Sequence, residues 1–429
     1  MKILVLTVTA GQGHNTCAKA VIAALEKRGV DCSLVDTVKY ISEMTGDALD
    51  RAYLNMSKYT PQVWGSLYRG SLRSSRSISE HSGPGIIPMV PKKFRQLISA
   101  YAPDGIVCTH FFASLLLTRL RSQGSAQMPV IGINTDFSLH PFWEAVNQDH
   151  LVLASDAMDY MVHQRGIHKE SILPIGIPVH EKFRDIPDKQ ACRQALNLTD
   201  KPTLLIMSGS MGFGSLLDHV DELDTLPLDF QMTVICGNNL ALKGALEEKI
   251  NAGAYRKYIR PLGFIDNVQL YMGAADLICT KPGGLSVSET FCVGRPMVLL
   301  DPIPGLEELN AAFLVNNGLA VQTSKNYSLN EAVYNLFANP RRMQAIEEEQ
   351  RRNSPRDAAD KLSDFLLESA AKYQATAPPP PAKAAPSLWR RAVNANRFAS
   401  INIKADLGKI YIKQRKQTKS KTRRGKNEV

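Results

Sequence analysis

The segment KPGGLSVSETFCVGRPMVLLDPIPGLEELN, residues 281–310, decides the fold of this chain. It follows an apolar run at 275–279, which is typical of a buried strand in a parallel sheet. Gly283 and Gly284 then turn the chain. Glycine lets a ligand approach the backbone closely, and the positive end of a following helix attracts an anion such as phosphate. The segment therefore predicts a strand, a glycine turn and a helix that together bind an anion.

The polar residues after the glycines predict how this helix begins and what lies beside it. Ser286 or Ser288 is a good N-cap for a helix over 287–293. Glu289 follows, and a carboxylate there can accept two hydroxyl hydrogen bonds, which suits a ribose next to a phosphate. An ordinary strand-to-helix turn capped by serine explains the glycine pair equally well, because short glycine motifs are common.

Composition places the chain among globular proteins of two or three domains. It has 429 residues, of which 44% are hydrophobic and 21% are charged. Its longest strongly apolar runs, such as 111–117, are far shorter than the roughly 20 residues that cross a bilayer. Because the chain opens directly on the strand-like KILVLTV, we expect no signal peptide.

The cysteines indicate a reducing compartment. None of the spacings between them is typical of a disulfide framework or a metal site, so we expect buried, reduced thiols in the cytoplasm. The seven cysteines are at positions 17, 32, 108, 192, 236, 279 and 292.

The positive charge is concentrated at the end of the chain. Residues 381–429 carry 14 Lys/Arg against 2 Asp/Glu, whereas residues 1–380 carry 37 against 39. A Pro/Ala-rich linker over 374–387 leads into this basic tail. Apolar and aromatic residues are mixed with its cations, so both a membrane surface and a nucleic acid are possible partners.

The order of elements predicts two α/β domains. Residues 2–8 form a strand, Gly11 and Gly13 a loop, and residues 15–27 a helix of helical apolar spacing. This unit is typical of a doubly wound domain, and a second series begins after the hinge-like GIPVHEKFRDIPD at 176–188. Further strands are expected at 105–109, 130–134, 150–154, 171–175, 203–208, 232–236, 276–280, 296–300 and 318–322, and long helical patterns at 329–338 and 341–371.

The pattern GG-x-S-x-S-E, then G-x-P, then P-x-P-G-x-E-E-x-N in residues 283–310 resembles the nucleotide-sugar site of the diacylglycerol glucosyltransferases and monogalactosyldiacylglycerol synthases. The peptidoglycan N-acetylglucosaminyltransferase is a related branch. The resemblance implies a GT-B fold, in which two doubly wound Rossmann-like domains face a cleft. We expect an acceptor domain at 1–176, a UDP-sugar domain at 177–372, and a linker with basic tail at 373–429.

The resemblance also implies catalytic residues in the first domain. The GxGH motif of the family matches Gly11, Gly13 and His14, and its histidine is the proposed general base. A histidine that caps the helix or contacts phosphate is the structural alternative.

The family's T-D-x-x-x-H-x-x-W segment provides a second set of candidates in this domain. It matches Asp136, His140 and Trp143. Asp136 is expected to orient His14, to align the acceptor or to serve as the base, and otherwise to act as a turn residue. Trp143 either walls the acceptor site or packs in the core, and His110 is expected to support the site.

Further positions imply contacts with the donor. Gly209 and Gly212, in a glycine-rich loop after the 203–208 strand, are expected to approach the diphosphate. The resemblance implies that Phe264 and Ile265 contact the base through the backbone. It likewise implies that Gly283, Gly284 and Ser286 hold phosphate, that Glu289 binds ribose, and that Glu307, Glu308 and Asn310 bind the sugar.

The acceptor and the cofactor requirement follow from other features. Residues 57–96 carry seven Lys/Arg and one acid among aromatic residues, which favours an anionic membrane surface, although a solvated charged insertion is the alternative. The YTPQVWGSLY sequence at 59–68 resembles the diacylglycerol glycosyltransferases. The sequence shows neither a metal-ligand cluster nor a DxD triplet, so we expect no cofactor and metal-independent catalysis.

Taken together, the sequence predicts an inverting transferase that moves glucose or galactose from a UDP-sugar to diacylglycerol. We expect a peripheral enzyme at the cytoplasmic face of a membrane, with no nucleic acid partner, and the oligomeric state is left open. The alternatives are a transferase for another lipid, such as a peptidoglycan precursor, a nucleotide-sugar sensor without catalysis, and a sugar-nucleotide epimerase of the same shape.

Overall fold

The structure is a computed structural model of the chain. It describes residues 1–9, 12–42, 45, 89–207, 216–353 and 355–376. Residues 1–91 and 103–377 form one compact unit, and residues 92–102 are grouped with 378–429 in another. The first of these units contains two parallel sheets, and each sheet forms the centre of one lobe.

The first lobe is built on a parallel sheet of six strands in the order β2-β1-β3-β4-β5-β6. Its central strands are apolar along their whole length, as expected for a sheet that helices cover on both faces. The strands are β1 (Lys2–Thr7), β2 (Asp31–Asp36), β3 (Gly105–Cys108), β4 (Val130–Ile133), β5 (His150–Val152) and β6 (Ile172–Leu173). The described helices of this lobe are α1 (Gly13–Glu26), α2 (Thr37–Ile41), α4 (Phe111–Ser122) and α5 (Asp159–His163).

The second lobe repeats this architecture, with strand order β12-β11-β10-β7-β8-β9. The strands are β7 (Thr203–Met207), β8 (Gln231–Ile235), β9 (Ile259–Leu262), β10 (Leu277–Thr280), β11 (Met297–Leu299) and β12 (Val321–Gln322). The helices are α6 (Lys189–Ala195), α7 (Leu216–Asp224), α8 (Leu240–Asn251), α9 (Val268–Ala274), α10 (Gly284–Val293), α11 (Leu306–Asn316), α12 (Leu329–Phe337), α13 (Pro340–Asn353) and α14 (Ala358–Thr376).

Two expectations about these elements are wrong. The single helical pattern at 341–371 is two helices, α13 and α14, and Pro355 lies between them, where its ring and missing N–H prevent a continuous helix. Strand β9 was not predicted at all. It contains Pro261, and a proline is tolerated here because β9 is the edge strand of its sheet.

The last helix, α14, returns to the first lobe and packs against α1. Leu366 of α14 lies over β3, where a Cβ added to Gly105 would be 3.1 Å from its Cδ1 atom. Arg28 donates to Asp360 at 3.0 Å and to Asp364 at 2.7 Å, both on α14. This crossing fixes one side of the interface between the lobes.

The helix α3 (Lys92–Tyr101), outside the main unit, is amphipathic. Phe94, Leu97 and Ile98 are buried, whereas Lys92 and Lys93 are exposed in a first turn without an acidic residue. Within the described residues, no helix has both the length and the apolar character needed to cross a bilayer.

Candidate active site

The site lies where the carboxyl ends of strands from both sheets meet, which is where open parallel sheets bind their ligands. In the first lobe, β1 leads into Gly13 and His14 at the start of α1. A Cβ added to Gly13 would lie 3.6 Å from the Cδ2 atom of Leu285 in α10. The N-termini of α1 and α10 therefore approach each other across the interface.

The His14 ring is fixed in one tautomer by its neighbours. Its Nδ1 atom lies 2.7 Å from the carbonyl oxygen of Thr109 and 3.1 Å from Oγ1 of Thr135. Because a carbonyl oxygen only accepts, Nδ1 carries the hydrogen and Nε2 keeps a lone pair. Burial lowers the pKa of His14, although the hydrogen bond to Thr109 opposes this effect. The ring is therefore neutral at pH 7 and its Nε2 can accept a proton.

Two other histidines have the opposite tautomer. Nδ1 of His110 accepts from the N–H of Phe112 at 3.1 Å, and Nδ1 of His140 accepts from the N–H of Phe142 at 3.2 Å. Each histidine caps the short helix that follows it, and the hydrogen of each neutral ring is on Nε2. The ring centroids of His14 and His110 are 4.8 Å apart. The site thus places a proton acceptor beside a ring that donates a hydrogen bond.

An aromatic cluster supports these histidines. Phe111 stacks on His140 with ring centroids 4.7 Å apart and an interplanar angle of 11°, and it also contacts Phe142 at 5.0 Å. Burial, together with the charge of Arg165, lowers the pKa of His140 to about 4. Trp143 is only 4% exposed and belongs to the core of the lobe, so of its two predicted roles the structure shows packing.

Asp136 lies in the loop after β4, and Asn134 shapes this loop. The Nδ2 group of Asn134 donates to the carbonyl oxygens of Asp136 and Ser138, at 2.8 and 2.9 Å. The Asp136 carboxylate accepts from Nδ2 of Asn310 in the second lobe at 2.9 Å. Burial raises the pKa of Asp136 to about 6, and the bond from Asn310 opposes this rise. At neutral pH Asp136 is therefore mostly ionised.

The second lobe contributes the glycine turn after β10. The prediction that Ser286 or Ser288 caps the helix is wrong, because α10 begins one turn earlier, at Gly284, with Gly283 as its N-cap. Ser288 instead donates to the carbonyl oxygen of Gly284 at 2.8 Å, one turn back along the helix. No side chain caps α10, so the N–H groups of its first turn point to the site without a side-chain acceptor.

The two lobes approach each other closely at Gly284. A Cβ added there would lie 1.9 Å from the carbonyl oxygen of Thr135, and 3.2 Å from Cα of Asp136. Only glycine lets the two backbones meet at this distance. The N-terminus of α10 is therefore held directly against the loop that carries Asp136.

Glu289 lies in the second turn of α10 and is half-buried. Burial raises its pKa to about 7, and the charge of Lys182 acts in the opposite direction. Lys182 comes from the connection between the lobes, and its Nζ donates to the carbonyl oxygen of Asp266 at 2.9 Å. The hinge thus brings a cation to the predicted ribose site.

The acidic residues of α11 differ in what they do. Glu308 is exposed and accepts from the N–H of Gly305 at 2.9 Å, which caps the helix, and Gly305 has a φ of 100° that favours glycine. Glu307 accepts from Ile303 N–H at 2.7 Å through Oε2. Its Oε1 lies 3.9 Å from the position of a Cβ on Gly283, so Glu307 borders the phosphate turn.

Asn310 of α11 does not face an open cleft in this structure. Its side chain is 0% exposed, with Nδ2 donating to Asp136 and, at 3.0 Å, to the carbonyl oxygen of Pro282. Its Oδ1 accepts from the N–H of Phe137 at 2.9 Å. Both amide hydrogens are engaged, so Asn310 connects the two lobes.

The predicted site for the uracil base of the nucleotide lies beside β8 and β9. Phe264 follows β9 with 62% of its surface exposed, an unusual exposure for a large ring, whereas Ile265 is mostly covered. A Cβ on Gly263 would lie 3.8 Å from the carbonyl oxygen of Gly237 after β8. Gly11, Gly209 and Gly212 lie outside the described residues, as do the basic tail and most of residues 57–96.

The roles of some site residues were not predicted, or only partly predicted, from the sequence. Thr135 contacts both His14 and Gly284, and Lys182 reaches Glu289 from the hinge. Thr135 lies in the quoted T-D segment and Lys182 in the quoted segment at 176–188, but neither was predicted as a site residue. The position of His110 at a strand end was noted, but its tautomer depends on the N–H of Phe112, which only the folded loop shows.

Solved structures with this architecture show the fold of the chain. The chain covers 99% of Acinetobacter baumannii MurG with a TM-score of 0.58 at 17% identity, and MurG covers 86% of this chain. It covers 99% of the glycotransferase of kitacinnamycin, which in turn covers 86% of this chain, with a TM-score of 0.56 at 13% identity. UDP-GlcNAc 2-epimerase from Neisseria meningitidis gives a TM-score of 0.51 at 14% identity, and the match covers 87% of this chain and 100% of the epimerase. The chain has the GT-B fold of glycosyltransferases, as predicted.

Sequence comparison narrows this class. Residues 14–179 match the model of monogalactosyldiacylglycerol synthase, and residues 203–362 match the C-terminal domain of glycosyltransferase family 28. The first lobe is therefore similar to monogalactosyldiacylglycerol synthases, and the second is similar to the C-terminal domain of glycosyltransferase family 28. Processive diacylglycerol beta-glucosyltransferases are similar over most of their length. The protein of Bacillus licheniformis is 28% identical over 80% of this chain and 88% of its own, and that of Bacillus subtilis 27% over 79% and 87%.

Proposed function

We propose that this protein transfers a hexose from a UDP-sugar to diacylglycerol and inverts the anomeric carbon. The observation that carries the proposal is the contact at Gly284, where the uncapped N-terminus of α10 meets the loop of Asp136 and Thr135. An anion-binding helix end and a pair of titratable side chains thereby share one site. The relatives named diacylglycerol beta-glucosyltransferase support diacylglycerol as acceptor and glucose as the first hexose to test.

On the donor side, we place the diphosphate of the UDP-sugar at the N-terminus of α10, where backbone N–H groups, and not a charged side chain of the helix end, are the donors. The first N–H groups of α10 bind the diphosphate, and the helix dipole stabilises the charge that develops on the leaving UDP. Glu289 accepts the ribose hydroxyls, and Phe264 with Ile265 borders the uracil. The free Oε1 of Glu307 is available to a hydroxyl of the hexose. Catalysis without a metal remains a prediction, which chelation with EDTA tests.

On the acceptor side, His14 is the general base. Its Nε2 lone pair takes the proton of the diacylglycerol hydroxyl as the oxygen attacks the anomeric carbon. The bond from that carbon to the UDP oxygen breaks as the new C–O bond forms on the opposite face, so an α-linked donor gives a β-glycoside. The ionised Asp136 stabilises the imidazolium that results, and its loop contacts the ring through Thr135.

The protein acts at a membrane surface in this proposal, because diacylglycerol resides in the bilayer. The exposed cations of α3 and the basic composition of residues 57–96 and 381–429 support contact with anionic lipid. Free thiols at all seven cysteines agree with the cytoplasmic face as the site of action.

A transfer assay tests the proposal. Vesicles of diacylglycerol in anionic phospholipid are incubated with radiolabelled UDP-glucose, UDP-galactose or UDP-N-acetylglucosamine, and the lipid products are separated. We expect a β-glycosyldiacylglycerol from one UDP-hexose, with labelled lipid absent from a His14→Ala control. In a parallel reaction, the vesicles also contain a peptidoglycan lipid precursor, and labelling of that precursor alone would show that diacylglycerol is not the acceptor. Epimerised UDP-sugar without labelled lipid would show that the protein is an epimerase and not a transferase.

A further inference from the structure

The structure contains a connection between the lobes that the proposed reaction does not itself require. Asn310 is completely buried, and its side chain bonds backbone and side-chain groups on both lobes. The three closest partners are the Asp136 carboxylate at 2.9 Å, the Phe137 N–H at 2.9 Å and the carbonyl oxygen of Pro282 at 3.0 Å, and the hydroxyl of Ser138 donates to its Oδ1 at 3.5 Å.

The chemistry of these bonds requires an amide of this length. A carboxylate at 310 would face Asp136 with like charge, and an apolar side chain would leave the three partners without this neighbour in a buried place. The nearby Asn316 and Asn317 bond only carbonyl oxygens of α11 itself, at 2.7 and 2.8 Å. Of these asparagines on one helical segment, Asn310 is the one that reaches across the interface.

The elements joined by Asn310 lie on both sides of the reaction. Helix α11 carries Glu307 three residues earlier, on the donor side, whereas the Asp136 loop contacts His14 through Thr135. Glu307 and Asp136 also lie close enough for their charges to interact. A shift of α11 on donor binding is therefore transmitted to the carboxylate by one side chain.

We propose that Asn310 is a positioning residue that couples the donor-binding helix α11 to Asp136, and so makes the acceptor side competent only while the lobes are closed at Gly284. This inference rests on the proposed function for its catalytic meaning. The titratable group whose charge interacts with Asp136 is Glu307 on α11; Glu307 in turn faces Lys281, just after β10, and His14 of α1 contacts the neighbouring Thr135. Since the bond from Asn310 favours the charged form, its loss raises the pKa of Asp136 further.

The test compares Asn310→Leu with Asn316→Leu, which removes an exposed amide from the same helix. The pH dependence of kcat/KM for diacylglycerol is measured with vesicles at saturating UDP-glucose, so that the titration of Glu289 in donor binding does not contribute. We expect the acidic limb to move up by about one pH unit in Asn310→Leu, the size of one charge-assisted hydrogen bond, and to stay in place in Asn316→Leu. An acidic limb that coincides with that of the unchanged protein would overturn the coupling.

A second measurement uses the thermal stability of the folded variants and does not depend on the transfer reaction. Because the pKa of Asp136 is higher in the folded than in the unfolded chain, Asp136 contributes stability at low pH that is lost between about pH 4 and pH 6. This contribution is measured at each pH as the difference in Tm between the full chain and an Asp136→Asn variant. In an Asn310→Leu background the loss should extend about one pH unit higher. An unchanged pH range in that background overturns the inference even if no transfer to diacylglycerol is found.

Discussion

The loop after β1 and the loop after β10 share one local structure, in which a buried strand leads through glycine into a helix N-terminus. Their chemistry differs. The first carries His14, an imidazole of lowered pKa, as the second residue of its helix, and this ring contacts Thr135, which precedes Asp136. The second begins with Gly284 and presents backbone N–H groups without a side-chain cap. In the proposed reaction, one fold unit therefore serves proton transfer in one lobe and anion binding in the other.

The difference follows from what each ligand requires. A diphosphate is a fixed anion, and fixed N–H dipoles bind it without any change of protonation. A hydroxyl must lose a proton during the reaction, which requires a group that titrates near neutral pH. Changes to the first loop should therefore affect turnover, and changes to the second should affect donor binding and closure.

The largest effect is expected from His14→Ala. The loss of the general base should lower kcat by roughly 10³-fold, whereas UDP binding, which depends on the second lobe, should change little. Steady-state kinetics with vesicles and calorimetry with UDP measure the two quantities. A kcat within a factor of two of the unchanged protein would assign the base to Asp136 instead.

Gly284→Ala tests the second loop and should have the next largest effect. Its methyl group would overlap the carbonyl oxygen of Thr135, so the lobes cannot close, and kcat/KM should fall roughly 10²-fold through misplaced reactants. Gly244→Ala is the control, because nothing lies within 4 Å of that position in α8. It should keep full activity and stabilise its helix by roughly 0.5–1 kcal/mol in the free energy of unfolding. Equal activities of the two variants would contradict closure at Gly284.

Glu289 should make the binding of the UDP-sugar at the second loop depend on pH. The pKa of Glu289 is raised to about 7, and the ionised carboxylate is the better acceptor for ribose hydroxyls. KM for the UDP-sugar should therefore fall as pH rises from 6 to 8. Glu289→Gln should remove this dependence and raise KM by roughly tenfold, the equivalent of one hydrogen bond. A pH-dependent KM that persists in Glu289→Gln would assign the titration to another group.

His110 should have the smallest effect, and two substitutions separate its roles. His110→Ala removes both the cap of α4 and the Nε2–H beside His14, with a cost of about 1 kcal/mol in the free energy of unfolding for the cap. His110→Asn retains a capping side chain, so its Tm should stay near that of the unchanged protein while kcat falls roughly tenfold. A normal kcat in His110→Asn would limit His110 to the helix cap.

Local signals predicted the fold well. The apolar strands, the glycine turns and the helical spacing after Gly13 predicted both lobes, and the resemblance of residues 283–310 implied the GT-B class. The errors also have local causes. Serines at 286 and 288 have high capping propensity, yet neither caps α10. The helix already starts at Gly284, so both serines lie inside it. Pro261 concealed strand β9, which only its place at the sheet edge permits.

Contacts across the interface could not be predicted in the same way. The bonds of Asn310 to the Asp136 loop span 174 residues of sequence, and they exist only when the lobes are closed. The motif placed Asn310 at a sugar hydroxyl, whereas in this structure its amide is committed to the first lobe. The role of Thr135 likewise depends on the position of Gly284. The roles of the site residues in donor and acceptor binding remain predictions until a ligand is bound.

A structure of the protein with UDP bound tests the central claim most directly. We predict the β-phosphate on the first N–H groups of α10 at Gly284, the ribose on Glu289 and the uracil beside Phe264, with Nε2 of His14 facing the phosphate across the interface. A nucleotide bound away from Gly284 and Glu289 would contradict the shared site on which the proposed reaction depends.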